Sequence, residues 1–314
     1  MTEVVVRGQD HREPAVRGRP AYTVSPQIVA SYAEAVGETD PKCRDVRAAT
    51  EAGLPGLLAP PGFAFVVAYP LSGDVLRRAG IRPQAITHVA ETHRMVRAIT
   101  SGDVLESTAI NKRFHTSAGG RTFLSWDVEL TDAGGRLVGT TSSTVLLRAG
   151  ERWPERSPAG PVAPVRDELR HRARYHVTRG HVARYCGVSG DVHPVYWSDA
   201  AARRSGLPGV IMQGSLLFAV VARAASCACG GPGSVAELGA RFAAPVEVPD
   251  DEGIVVEVAA GDPDADGTVA LDARVGGRPV LTSAWARPTV PSATRRAARC
   301  ADERGGAARP GPRP

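Results

Sequence analysis

Two stretches decide the reading of this chain. The first is Tyr32-Ala-Glu-Ala-Val-Gly-Glu-Thr-Asp-Pro41, followed by Gly53-Leu-Pro-Gly-Leu-Leu-Ala-Pro-Pro-Gly-Phe63. The second is Tyr185-Cys-Gly-Val-Ser-Gly-Asp-Val-His-Pro194, followed by Gly206-Leu-Pro-Gly-Val-Ile-Met-Gln-Gly-Ser-Leu216. They stand at a constant offset of 153 residues, with no gap. Tyr32 matches Tyr185, Gly37 matches Gly190, Pro41 matches Pro194, and Phe65 and Val67 match Phe218 and Val220. Turn-forming Gly and Pro kept in register mark a repeat, and two copies are too few for a solenoid. The chain is read as one domain duplicated.

Each copy carries the same order of elements. A short strand (Ala21–Val24, then Tyr175–Val177) leads into a helix capped by Ser25 with Pro26 in its first turn, and by Thr178 in the second copy. A polar loop, a short Ala-rich helix and a Gly-Leu-Pro-Gly turn follow. Next comes the most apolar helix of each half. In the second half it is predicted over 210–225, where Leu216, Leu217, Phe218, Val220 and Val221 leave almost no polar face. Such a helix is enclosed by its neighbours. The rest of each half alternates apolar and polar residues, as over Phe123–Leu130, Leu137–Leu147, Gly253–Ala259, Val269–Ala273 and Val280–Ala284. A buried helix followed by long antiparallel strands predicts an α+β fold in which a sheet wraps round the helix.

Composition narrows the classes further. The 314 residues suffice for two domains. No run of about 18 apolar residues suggests a membrane span, and the N-terminus lacks the pattern of a secretory signal. Five cysteines (Cys43, Cys186, Cys227, Cys229, Cys300) without framework spacing suggest reduced thiols and a cytoplasmic protein. Cys227-Ala-Cys229 has no second Cys or His pair at zinc spacing, so no metal is expected. The net charge of +5 is concentrated in segments 152–174 and 295–314, without interleaved aromatic residues, which argues against nucleic acid. The organisation expected is an N-terminal extension over 1–19, a first domain over 20–148, a Pro-rich linker over 149–171, a second domain over 172–288 and a disordered basic tail over 289–314.

The second half resembles the (R)-specific enoyl-thioester hydratases, the MaoC-like dehydratases. The residues that carry the resemblance are Ser189-Gly-Asp-Val-His-Pro-Val-Tyr196 and Gly206-Leu-Pro-Gly-Val-Ile-Met-Gln-Gly-Ser215, with Arg241-Phe-Ala-Ala-Pro-Val246 downstream. The first half resembles the degenerate partner domain through Gly37–Pro41, Ala59–Phe63 and Arg97–Asp103. The resemblance implies a double hotdog, with one half catalytic and the other widening a tunnel for the acyl chain. It implies reversible hydration of a 2-enoyl thioester to its (3R)-hydroxyacyl form, with no cofactor.

That reaction needs an acid, a base and donors on the carbonyl oxygen where enolate charge grows. The resemblance places Asp191 at the family's Asp and Gly214 at the Gly whose N–H serves as oxyanion donor. The family's His, five residues after the Asp, is here Tyr196; His193 replaces its Asn, and Gln213 the His before the Gly. His193 relocated as proton partner, Tyr196 as acid (free tyrosine titrates near pH 10), and a site that binds without hydrating are therefore all open. Gln213 and Ser215 are expected beside Gly214, and Phe63, Phe65, Leu216 and Phe218 along the acyl tunnel. In the first half Glu38 and Cys43 take the places of Asp191 and Tyr196, and Pro61, which has no N–H, takes the place of Gly214. His93 and Arg94 read as surface charge at the start of a strand.

The function expected is therefore a hydratase or dehydratase of acyl-CoA or acyl-carrier-protein thioesters in fatty acid or polyketide-type metabolism. The alternatives are a degenerate hotdog subunit that binds the thioester or partners an active dehydratase, and an acyl-thioesterase. A monomer or homodimer is expected, or a subunit with a different hotdog partner.

Overall fold

The computed structural model describes residues 16–17, 21–148, 169 and 171–289. The first half contains β1 (Val16–Arg17), β2 (Tyr22–Thr23), α1 (Pro26–Ala35), α2 (Val46–Glu51), α3 (Ala64–Arg78), β3 (Ile86–Met95), β4 (Val104–Thr116), β5 (Thr122–Asp132) and β6 (Leu137–Leu147). The second contains β7 (His171–Val177), α4 (Arg179–Ser189), α5 (Asp199–Arg204), β8 (Ile211–Met212), α6 (Gly214–Cys229), β9 (Val235–Phe242), β10 (Val246–Glu247), β11 (Ile254–Ala260), β12 (Val269–Val275), β13 (Arg278–Pro279) and β14 (Leu281–Pro288).

The repeat survives into three dimensions. Helix α1 is capped by Ser25, whose hydroxyl accepts from the Ile28 N–H at 3.2 Å. At α4 the Thr178 N–H is met by the His181 ring at 3.2 Å, the reciprocal half of a capping box. The short helices α2 and α5 keep the offset of the sequence, and so do the 3-10 turns Pro41–Cys43 and Pro194–Tyr196. Tyr32 and Tyr185, paired by the repeat, face each other across the middle of the molecule with ring centroids 6.0 Å apart.

The long helices break the register. Helix α6 starts at Gly214, whereas α3 starts at Ala64 and not at Pro61, the residue aligned with Gly214. The pair Pro60-Pro61 supplies no N–H and holds the first turn back. Helix α6 also starts and ends later than the sequence pattern suggests, because Ile211–Met212 pairs with β10 before the chain turns inward.

Twelve of the described strands form one antiparallel sheet in the order β1-β4-β5-β6-β3-β9-β14-β12-β11-β7, with β2 beside β4 and β13 beside β12, and β8 pairs with β10 apart from it. The seam between halves is β3 against β9, in register from Ala90↔Arg241 to Arg94↔Glu237. Both long helices lie on this sheet, and a single hydrophobic cluster runs through both halves. Leu216, Leu217, Phe218, Ala219, Val220, Val221 and Ala222 are each at most 2% exposed. Each large apolar side chain so enclosed contributes about 1.5–3 kcal/mol. Gly276 and Gly277, at φ 55° and 75°, close the tight hairpin read there.

Several expectations shift. Val16 and Arg17, placed in an extension, pair with Ala109 and Thr108 of β4. The linker's last residue, His171, opens β7. The remainder of the linker (apart from a buried Leu169) and the basic tail after Thr289 lie outside the described residues. Cys43, Cys186 and Cys229 are free and buried. No helix among the described residues is long and apolar enough to cross a membrane.

Candidate active site

Asp191 follows Gly190, which ends α4 in the left-handed region at φ 75°. That turn carries the carboxyl inward, and Asp191 is 9% exposed. Its Oδ1 accepts a hydrogen bond of 2.8 Å from the hydroxyl of Tyr69, on α3 of the other half. Burial raises the Asp191 pKa above the ordinary carboxylate value. The Tyr69 hydroxyl, the charge of His88, the His193 backbone N–H and the Tyr196 hydroxyl pull it back only in part. A carboxyl raised in this way holds its proton more tightly than a free one, as a group that delivers a proton must.

His193 and Tyr196 sit on the turn after Asp191 in different roles. The His193 Nδ1 accepts from the Val195 N–H at 3.4 Å, capping the 3-10 turn as Asp40 does in the first half through Lys42 N–H. Its Nε2 is buried without a hydrogen-bond partner, and burial lowers the ring's pKa. The structure brings the backbone of His193 to Asp191, while its ring lies edge-on to Tyr196 at 6.1 Å. Tyr196 is packed beside Asp191, and burial and that carboxyl's charge push its hydroxyl well above the usual tyrosine range.

Gly214 is the first residue of α6, where the helix presents unpaired N–H groups and the positive end of its dipole. A side chain there would be tight: a Cβ would stand 3.2 Å from the Phe242 ring and 3.3 Å from Nδ1 of His88. Gln213 is fully buried, and its amide donates to the Val182 carbonyl and the Cys186 sulfur. It ties α6 to α4. Ser215 is buried beside the Tyr185 hydroxyl.

Of the four tunnel candidates, Phe65 alone borders this site, its ring centroid 5.2 Å from Tyr69 and 6.3 Å from His88. Phe63 packs edge-on to Tyr32 and borders the first-half cavity, whereas Phe218, on His93 at 4.7 Å, and Leu216 fill core, as an all-apolar helix requires. A cavity of about 70 Å³ opens at the aligned position of the first half, around Pro60, Pro61, Phe63 and His93. In that half Glu38 accepts from the N–H groups of Thr39 and Asp40 and is spent on its own turn, and Cys43 is buried.

The structure adds residues that the sequence did not single out. His88, Glu91 and His93 all lie on β3, with Glu91 1% and His93 3% exposed; His93 is near the end of the strand and is not surface charge. Glu91 joins the Nε2 atoms of His88 (3.1 Å) and His93 (2.9 Å) and the Ser143 hydroxyl (2.7 Å). Burial alone would raise the Glu91 pKa; the two histidines outweigh it and hold it below the usual value. The only signal in the sequence was a period-two run of polar residues facing inward, His-x-x-Glu-x-His with one bulge between His88 and Ala90.

Two hotdogs sharing one sheet, with a buried carboxyl at the mouth of the second long helix, define a class. The chain belongs to the MaoC-like dehydratase family in its double hotdog form. A family model described as the FAS1-like dehydratase domain region matches residues 16–141, and one described as the MaoC like domain matches 162–275. A UPF0336 protein of Streptomyces griseus is 31% identical over 134 residues, covering 42% of this chain and 89% of that protein. A solved MaoC-like dehydratase superposes with a TM-score of 0.75 at 24% identity, over 87% of this chain and 96% of its own. A Mycobacterium tuberculosis protein described as having a double hotdog fold gives a TM-score of 0.56 at 16% identity, over 88% and 96%.

Proposed function

We propose that the protein adds water to, or removes it from, an acyl thioester, interconverting a 2-enoyl and a (3R)-hydroxyacyl group. The observation that carries this reading is the buried Asp191 carboxyl, acted on by the charge of His88, whose ring stands against Gly214 at the start of α6. The Gly214 amide meets the thioester oxygen, where negative charge develops, and Asp191 exchanges the proton of the hydroxyl that leaves or arrives. Tyr69 and Tyr196 keep the carboxyl in place and tune its affinity for the proton. The thioester is carried by CoA or an acyl carrier protein, and exposed Arg203, Arg204 and Arg241 are available to its phosphate.

A second reading, a thioester-binding subunit, is favoured by one feature: Tyr196 stands where the family has its histidine, and its hydroxyl is a poor base. The experiment is hydration of crotonyl-CoA and a longer trans-2-enoyl-CoA by the pure protein, followed by loss of enoyl absorbance, with Asp191→Asn alongside. Turnover abolished by Asp191→Asn supports the hydratase; thioester binding without turnover supports the binding subunit.

A further inference from the structure

The reaction needs two proton carriers, and the loop after α4 places only one of them, Asp191. The histidine of that loop has its Nδ1 committed to a turn. His88, from the other half, has the opposite arrangement. Its Nε2 lies 3.0 Å from the Ala90 carbonyl and 3.1 Å from the Glu91 carboxylate. Both are acceptors, so Nε2 carries the hydrogen and the neutral ring keeps its lone pair on Nδ1. That atom faces the start of α6, 3.3 Å from where a Cβ on Gly214 would stand. The ring is held between Phe65 and Phe242, at 6.3 and 5.0 Å, and the side chain is 21% exposed.

We infer that His88 is the second catalytic residue, supplied by the first half in place of the histidine missing at Tyr196. The inference rests on the hydratase reading and names its unassigned partner. In the dehydrating direction His88 Nδ1 takes the proton from C2, and the electron pair passes into the enolate held at the Gly214 N–H. The C2–C3 double bond forms as the C3–O bond breaks, and the departing hydroxide takes the Asp191 proton to leave as water. His88 has then gained a proton and Asp191 lost one, and transfer between them restores both. Hydration is the reverse. Buried Glu91 orients the ring and stabilises its charged form, as a carboxylate does behind a catalytic histidine. The ionisable groups acting on His88 are Glu91 and Asp191, with His93 acting through Glu91.

The test measures enoyl-CoA hydration against pH for the wild-type chain, His88→Gln, His88→Ala, Glu91→Gln and His193→Ala, with a thermal melt of each. His88→Gln is expected to lower kcat by about 100-fold or more with little change in KM, and to remove one limb of the pH profile. Free imidazole is expected to restore part of the activity of His88→Ala, and Glu91→Gln to move the limb to lower pH. Wild-type turnover that persists in His88→Gln with an unchanged profile overturns the assignment while leaving the hydratase standing. So does a loss that follows only a collapsed melt and that imidazole does not relieve. No turnover by the folded wild-type chain overturns both readings.

Discussion

At the scale of single residues, Asp191 shows what a buried carboxyl costs and what it makes possible. Its folded pKa lies above its unfolded value, so the stability it contributes is full below pH 3.8 and is lost as pH rises through the folded pKa. Above its folded pKa the ionised group opposes folding. Asp191→Asn keeps an acceptor for Tyr69 and removes that charge. It should lower hydration by about 10²- to 10⁴-fold while the melting temperature at pH 8 stays level or rises, read by enzyme assay and thermal melt. Tyr69→Phe deletes the 2.8 Å hydrogen bond to the carboxylate. A hydrogen bond to a charged group is worth about 1.5–3 kcal/mol, so the Asp191 limb of the pH–rate profile should move upward by about one unit or more.

At the scale of elements, the aligned positions ahead of the two long helices differ: Gly214 opens α6 with an N–H, whereas Pro61, before α3, has none. Proline fits the first position of a helix without breaking it but gives no N–H. Gly214→Pro should therefore remove the oxyanion donor as well as crowding Phe242 and His88, whereas Gly214→Ala brings the same Cβ but keeps the N–H. Both should lose activity, and the proline variant should lose at least tenfold more, about the 10²–10³ of a missing oxyanion donor; comparison of kcat and circular dichroism checks this. Strand β3 is the second decisive element. Glu91 is a buried charge held by three hydrogen bonds. Glu91→Ala should destabilise by about 3–5 kcal/mol in denaturant unfolding. Because its folded pKa lies below 4.5, the stability it adds is present above pH 4.5 and lost as pH falls through the folded value, so the variant should also lose part of the wild-type acid transition.

At the scale of the whole molecule, the seam between halves runs through the candidate site. Asp191 and Gly214 belong to the second half, Tyr69 and His88 to the first, and Phe65 meets Phe242 across His88. Residues 169–289 expressed alone should be inactive although they contain Asp191 and Gly214. The bare edge of β9 should also drive them to pair with themselves, as unpaired strands do. Addition of the first half should restore activity, measured by hydration assay and by size-exclusion chromatography of the separate and mixed halves.

The repeat, the caps at Ser25 and Thr178, the enclosed helix and the alternation of the outer strands were all legible in the residues. Each is a local signal: a period, a turn former or a missing N–H acts over a few positions. Glu38 and Cys43 could be set aside, and Asp191 and Gly214 singled out, because family resemblance and proline chemistry both work position by position. His93, Glu91 and His88 escaped that reading. On a strand, polar residues facing inward look the same as polar residues facing water until the opposite layer is known. Only the pairing of β3 with β9 turns that face toward α6, and only the docking of α3 brings Tyr69 to Asp191 from 122 positions away. The duplicated domain, its elements and half of its candidate site were therefore determined by the sequence alone. The other half, and the proton partner proposed for Asp191, were decided by tertiary structure, because they depend on which buried faces the two copies turn toward each other.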